Sequence, residues 1–217
     1  MALAATATDA DWECLGQLDP YWAVLTFDQF RKSNLNEVVL DNFYQSGEQY
    51  ADWLYRTIRH HIDSTFKPRR IMDFGCGVGR ITFALARRSD WVVGVDVADS
   101  MLTEAKNSAL RLGVRNTYFV KGDDELSQVH GKFDFITSSL VFQHIPVERG
   151  DVIFRRLLDR LKPGGVGAIH VTYAREHYYP KDDSRVVIPK QLPCFFGRRP
   201  KTWKGLVPRF MRQAYHG

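Results

Sequence analysis

From Arg69 onward, short apolar runs alternate with helical stretches. RIMDF, WVVGVD, TYFVKG, FDFITSS and GVGAIHV are each the length of a strand. Between most of them apolar residues recur at helical spacing, over 80–88, 100–111 and 147–161. Five short strands alternating with helices predict a parallel sheet covered on both faces. Right-handed crossovers then give a doubly wound α/β topology. Leu161-Lys162-Pro163-Gly164-Gly165 reads as a helix stop and a turn into the fifth strand.

The flanks differ from this body. Residues 1–18 read as a mobile lead, and the next dozen crowd together Tyr21, Trp22, Phe27 and Phe30. Residues 35–62 are helical in spacing, through Val39, Phe43, Trp53, Leu54 and Ile58, and Ser46-x-x-Gln49 reads as a capping box that starts a second helix at Gly47. After the fifth strand only VVIP and FMRQAY resemble strands, and neither makes a convincing pair. The expected division is a helical, aromatic cap over 1–66, a core over 67–174 and a tail over 175–217.

Composition narrows the class. Of 217 residues, 44% are hydrophobic and 25% charged, as in an ordinary globular protein and unlike a disordered or collagen-like chain. The net charge of +5 is unevenly placed: the segment from Thr172 onward carries +7 and the preceding body −2. Three scattered cysteines without a C-x-x-C pair fit neither a disulfide framework nor a zinc site, and His60 and His61, adjacent on a helix, diverge. No metal site is expected. The start has no basic leader and no run reaches about 18 apolar residues, so the expectation is a cytoplasmic protein without a membrane partner.

The most informative stretch is Asp73-Phe74-Gly75-Cys76-Gly77-Val78-Gly79-Arg80, between the first strand and its helix. Glycines there let the backbone turn sharply and lie close to a ligand. In open α/β sheets, ligands sit beyond the strands' carboxyl ends, where this loop falls. The dinucleotide fingerprint needs glycine where Arg80 stands, and a phosphate loop of the G-x-x-x-x-G-K-[ST] kind is absent. An acid beside a helix N-terminus suits an ammonium group better than a pyrophosphate, so the loop points to a nucleotide-like ligand with a cationic end. Asp96 closes the second strand, where a carboxylate accepts from both hydroxyls of a ribose. Its competing role, capping the next helix, falls more naturally to Asp99 and Ser100. The third strand ends in Lys121-Gly122-Asp123-Asp124-Glu125, where one acid either accepts from an adenine amino group or caps a solvated turn.

DFGCGVGRITFALA, GVDVADSMLTEAK, KGDDELSQVHGKFDFITSSLVFQHIP and LLDRLKPGGVGAIHV occur in this order over residues 69–172. Together they resemble the class I S-adenosylmethionine-dependent methyltransferase family, of the small-molecule type. The resemblance implies an α/β, doubly wound, mainly parallel Rossmann-like sheet with an N-terminal helical cap, and S-adenosylmethionine as cofactor. It implies Gly75, Gly77 and Gly79 under the methionine part, with Asp73 reached by its amino group. It further implies Asp96 on the ribose, Val97 and Met101 bordering the adenine, and Asp123 with the backbone near Asp124 at the adenine's polar edge. Ser139 and Leu140 would offer backbone contacts near the methionine end. Met101 taken alone also reads as a core residue. Relatives close their sheet with a sixth and an antiparallel seventh strand; here these are missing or atypical, which would expose a sheet edge and favour a homo-oligomer.

The implied activity is methyl transfer to a small-molecule acceptor by direct displacement, where alignment alone can remove roughly 7–11 kcal/mol of barrier. His144, in Val141-Phe142-Gln143-His144-Ile145-Pro146, follows the fourth strand and reads either as the base for an acceptor that loses a proton or, as in many relatives, as a residue that shapes the pocket. His170, in the fifth strand, reads as packing. Tyr21, Trp22, Phe30 and Tyr44 read either as a lid whose ring faces attract a sulfonium or as core aromatics. SSLVFQHIP stands where enzymes acting on amide or adenine nitrogens carry N/D-P-P-Y/F/W, which disfavours those acceptors. The alternatives are an RNA or other anionic substrate held by the basic tail, with nucleic acid the weaker partner reading, and a cofactor-binding module without catalysis.

Overall fold

The computed structural model describes residues 3–171 and 194–198; VVIP and FMRQAY lie outside them. Five strands follow the apolar runs: β1 (Arg70–Phe74), β2 (Trp91–Asp96), β3 (Thr117–Lys121), β4 (Phe133–Ser138) and β5 (Leu161–His170). Helices α4 (Arg80–Ala86), α5 (Asp99–Arg111) and α6 (Val147–Arg160) connect them. A sixth strand, β6 (Cys194–Arg198), closes one side. The order is β3-β2-β1-β4-β5-β6, with β1 to β5 parallel and β6 antiparallel to β5. The chain is thus a doubly wound, mainly parallel α/β sheet. Its direction reverses between β1 and β4, which opens a crevice at their carboxyl ends.

Alternation along the strands feeds two cores. Ile71, Phe135, Val166 and Ala168 face one layer with Leu54, Ile58, Ala84 and Leu85. Met72, Val95, Ile136 and Ile169 face the other with Ile153, Phe154 and Leu157 of α6. Strands buried on both faces need apolar residues at nearly every position, which is why these runs are continuous.

Several expectations give way here. Residues expected as a mobile lead form helix α1 (Leu3–Leu18), followed by the short α2 (Pro20–Val24). Helix α3 (Glu37–His61) is continuous. Its cap is Asn36, whose side chain accepts from the Val39 N–H at 3.0 Å, while Ser46 donates inside the helix to the Phe43 carbonyl at 2.6 Å. Apolar periodicity running unbroken through Gly47 outweighs the local capping motif. Leu161 already pairs with Phe133, and the Lys-Pro-Gly-Gly stretch is an irregularity within β5 before pairing resumes at Val166. The carboxyl-side edge is not bare either, because β6 pairs with β5 from Val166 to His170. Of the two closing strands expected in relatives, one is present among the described residues, and it comes from CFFGR.

Three of the four candidate lid aromatics resolve as core: Tyr21, Phe30 and Tyr44 are buried with Phe43, Phe83 and Met101, where α2, α3, α4 and α5 meet. Trp22 is not among them; it is half-buried, with the Arg31 guanidinium 4.3 Å from its ring centroid. Tyr21 donates to Glu104 at 2.6 Å and meets the hydroxyls of Tyr44 and Ser108 at 3.3 and 3.2 Å. Burial pushes the Tyr44 hydroxyl pKa far up, so it stays neutral and hydrogen-bonding. Among the described residues no helix is long and apolar enough to cross a membrane.

Candidate functional site

The glycine loop lies between β1 and α4, and its conformation explains its sequence. Gly75, Gly77 and Gly79 have φ of +73°, +52° and +88°, a region that side-chain-bearing residues rarely adopt. Space is short as well: a Cβ on Gly75 would lie 2.2 Å from Val141 Cγ2, and one on Gly77 2.7 Å from Val24 Cγ2. The loop is anchored to the neighbouring strand, as the Gly75 and Cys76 N–H groups donate to the Val95 carbonyl at 2.7 and 3.0 Å.

Two carboxylates back this loop. Asp73, at the end of β1, is 2% exposed and accepts from the Thr82 hydroxyl at 2.6 Å. Burial raises its pKa to about 6, against the opposing pull of Thr82 and the Arg80 charge. Asp96, at the end of β2, accepts from the Gly77 N–H at 2.7 Å and the Ala98 N–H at 3.0 Å. Burial raises its pKa too, and those N–H bonds offset part of the rise. Asp99 and Ser100, expected as caps, are engaged elsewhere: Asp99 pairs with Lys121, and the Ser100 N–H donates to Glu13 at 3.1 Å. Arg80 is 8% exposed; its guanidinium reaches the Ser46 hydroxyl at 3.4 Å, and its Nε has no hydrogen-bond partner among the described residues. Gly47 lets α3 come this close, since a Cβ there would meet the Arg80 carbonyl oxygen at 2.1 Å.

Beside these acids opens a cavity of about 560 Å³, lined by Asp9, Ala10, Glu13, Val97, Lys121, Gly122, Asp123, Asp124 and Arg149. Four acids against two bases make it an electronegative space. Val97, Asp123 and Asp124, all expected at the adenine, share this wall. Their carboxylates already have partners: Asp123 accepts from the Ser127 N–H at 2.9 Å, and this capping, with the Ser127 hydroxyl, lowers its pKa. Asp124 takes Arg149 Nε at 2.7 and 2.9 Å. Arg149 also holds Asp9 of α1 at 2.6 and 2.8 Å. Met101 packs at 2% exposure behind the cavity.

Asp9, Glu13 and Arg149 escaped sequence reasoning. Their signal was the four-residue spacing of Asp9 and Glu13, which puts both on one helical face, hidden inside a segment read as structureless.

Beyond β4 the chain runs through Ser139 and Leu140 into a 3-10 turn, Phe142–His144. Leu140 has φ +62°, a conformation that costs a non-glycine residue roughly 1–2 kcal/mol. The buried hydroxyls of Thr137 and Ser138, at the end of β4, have no hydrogen-bond partner among the described residues. His144 is exposed on the turn; its ring meets the edge of Trp12 from α1 at 5.0 Å, and its Nε2 lies 3.0 Å from Gln143.

A doubly wound sheet with a left-handed glycine loop, an acid ending each of its first two strands and a cavity beyond the third defines a nucleotide-cofactor domain of Rossmann-like class. Residues 71–165 match the family model described as "Methyltransferase domain", in line with the resemblance of this segment to class I S-adenosylmethionine-dependent methyltransferases. Similar curated proteins include "Ribosomal RNA small subunit methyltransferase C" of Alcanivorax borkumensis, 38% identical over 104 residues, covering 46% of this chain and 31% of that one. Another is "Ubiquinone biosynthesis O-methyltransferase" of Idiomarina loihiensis, 33% identical over 109 residues, covering 50% and 44%. The chain spans less than half the length of these two relatives. Among solved structures, magnesium protoporphyrin IX methyltransferase from Synechocystis with bound SAH has a TM-score of 0.54 at 23% identity, covering 75% of this chain and 70% of that one. The SAM-bound amino pentose methyltransferase from Micromonospora echinaspora has 0.51 at 24%, covering 63% and 57%. At such identities the likeness is one of fold.

Proposed function

We propose that the protein transfers a methyl group from S-adenosylmethionine to a small-molecule acceptor. The observation that carries this reading is the pairing of three left-handed glycines with two enclosed carboxylates, Asp73 and Asp96, at the ends of neighbouring strands. The cradle fits the cofactor's chemistry. Glycine at 75 and 77 keeps side chains out of the crevice, and an acid that is costly to bury unpaired awaits a cation. When bound, the cofactor supplies an electrophilic methyl group on a sulfonium. Asp73 holds its ammonium group, and the lone pairs that Asp96 does not give to Gly77 and Ala98 accept from the ribose hydroxyls. Val97, Met101, Asp123 and Asp124 border the adenine, while Ser139 and Leu140 present backbone groups at the methionine end. His144 takes the proton of an oxygen or nitrogen acceptor. The relative named for ubiquinone biosynthesis supports an acceptor of small-molecule class.

Calorimetry with S-adenosylhomocysteine tests the site. Asp96→Ala should weaken binding about 100-fold, the worth of a charge-assisted pair of bonds at roughly 1.5–3 kcal/mol; unaltered affinity refutes the assignment. A methyl-transfer screen against metabolites then separates an enzyme from a binding module.

A second reading, an RNA acceptor, is favoured by the +7 charge from Thr172 onward and by the relative named for ribosomal RNA. It requires RNA affinity that falls steeply with salt. Weak, salt-insensitive binding removes it.

A further inference from the structure

The conformation of Leu140 calls for a cause. Its φ of +62° is one that leucine rarely adopts, and its side chain is 41% exposed, so burial of the leucine does not hold it there. Among the described residues its tie to another strand is a hydrogen bond: its N–H donates to His170 Nδ1 at 3.3 Å. His170 ends β5 at 8% exposure. Burial lowers its pKa, so the ring is neutral at physiological pH, and an accepting Nδ1 leaves the ring proton on Nε2. Around the ring, β4 ends at Ser138 and leads into Ser139, and β6 sets Cys194 opposite His170 in the ladder. Among the described residues no carboxylate or cation contributes to its titration.

The next residue carries the consequence to both halves of the site. Val141 lies directly over Gly75, where an added Cβ would meet its Cγ2 at 2.2 Å. The Val141 carbonyl also accepts from the His144 N–H at 2.9 Å. Leu140 thus precedes the residue that walls the glycine loop and that accepts from the turn bearing the candidate base.

We propose that His170 is a positioning residue of the methyl-transfer site, whose Nδ1 holds Leu140 left-handed and through it seats Val141 on Gly75 and orients the His144 turn. The proposal rests on the methyltransferase reading and replaces the expectation that His170 merely packs.

Three substitutions test it. Asparagine carries an acceptor near the position of Nδ1 and does not titrate. His170→Asn should keep kcat within about threefold and keep the Leu140 amide protected from exchange at acid pH, where in the wild type a protonated Nδ1 would face the Leu140 N–H donor to donor and protection would fall. His170→Phe keeps the volume but has no acceptor. It should lower kcat about tenfold or more and speed hydrogen exchange at the Leu140 amide, the worth of one such bond. Adding Leu140→Gly, which takes a left-handed conformation unaided, should recover most of that kcat. Equal losses in the Asn and Phe variants, or no recovery with glycine, assign His170 to packing and overturn the proposal. Amide exchange at Leu140 needs neither cofactor nor turnover. A wild type that binds no S-adenosylhomocysteine refutes the methyltransferase reading, whereas a Leu140 amide that His170→Phe leaves fully protected refutes the positioning bond itself. If the Phe variant does not fold, the Asn variant decides: Leu140 amide protection that falls with acid pH as in the wild type overturns the proposal.

Discussion

Asp73 shows at the residue scale what a buried carboxyl in the proposed cofactor site costs the fold. An ordinary carboxyl of pKa 3.8 is raised to about 6 here, chiefly by burial. A raised carboxyl pKa means that the folded state binds the proton more tightly than the unfolded one. The cost of ionisation is therefore absent below about pH 3.8, grows between there and 6, and is complete above it. At about 1.4 kcal/mol per unit, that is on the order of 3 kcal/mol at neutral pH. Asp73→Asn keeps an acceptor for the Thr82 hydroxyl and removes the charge. It should raise the stability of the ligand-free protein by up to about 3 kcal/mol at pH 7.5, and by less at pH 5, in urea melts at the two values. The same variant should lose affinity for S-adenosylhomocysteine, because the ammonium group loses its counter-charge. An equal gain at both pH values would mean that the carboxyl is not strained. The acid two residues before the first glycine was legible in the sequence. Its strain was not, since burial comes from Thr82 and α4 folding back over it.

At the scale of elements, the strands and helices of the core fall within a few residues of the positions their patterning predicts. Buried parallel strands carry near-continuous apolar runs, and connecting helices carry one apolar stripe. Helix α1 was not legible for the opposite reason. It docks through Asp9, Trp12, Glu13 and Gly16, a single face at spacings of three and four. Of these four only Trp12 is a large apolar side chain, packed against the cluster of Tyr21 and Met101, while Asp9 and Glu13 reach Arg149 and Ser100. Gly16 is needed because a Cβ there would lie 2.2 Å from the Ser100 hydroxyl oxygen. A helix fastened by ion pairs leaves little trace in hydrophobic periodicity. Its hold should also be breakable at one point. Arg149 is 13% exposed at its side chain and bridges Asp9 to Asp124, and these carboxylates drive its pKa upward. Arg149→Gln should accelerate amide exchange across Leu3–Leu18 about ten- to a hundredfold, for loss of charge-assisted bonds worth roughly 1.5–3 kcal/mol. Exchange in α5 should stay unchanged. Slow exchange in α1 of the variant would show that its apolar contacts suffice.

For the whole molecule, the reversal of strand order at β1 and β4 fixes where the crevice lies; the alternation of strands with helices predicted a doubly wound sheet but not where its order turns. The outer boundary of the sheet was also illegible. CFFGR is five residues with two adjacent aromatics and no alternation, so nothing local marks it as a strand. It forms one because β5 presents unpaired backbone groups from Val166 to His170. The pairing sets Phe195 opposite Ile169 and Phe196 opposite Ala168. Along an antiparallel edge strand, successive N–H groups point alternately into the ladder and away from it. Proline has no N–H, so of Phe195→Pro and Phe196→Pro one should forfeit a ladder bond while the other forfeits none. Their stabilities in urea melts should differ by about 1–3 kcal/mol, with the weaker variant more prone to self-association in sedimentation because β5 is then exposed. Neither substitution alters the charge of the basic segment, so electrostatics cannot produce the difference. Two variants equally close to wild type would mean that CFFGR does not close the sheet, and would leave β5 as its outer edge.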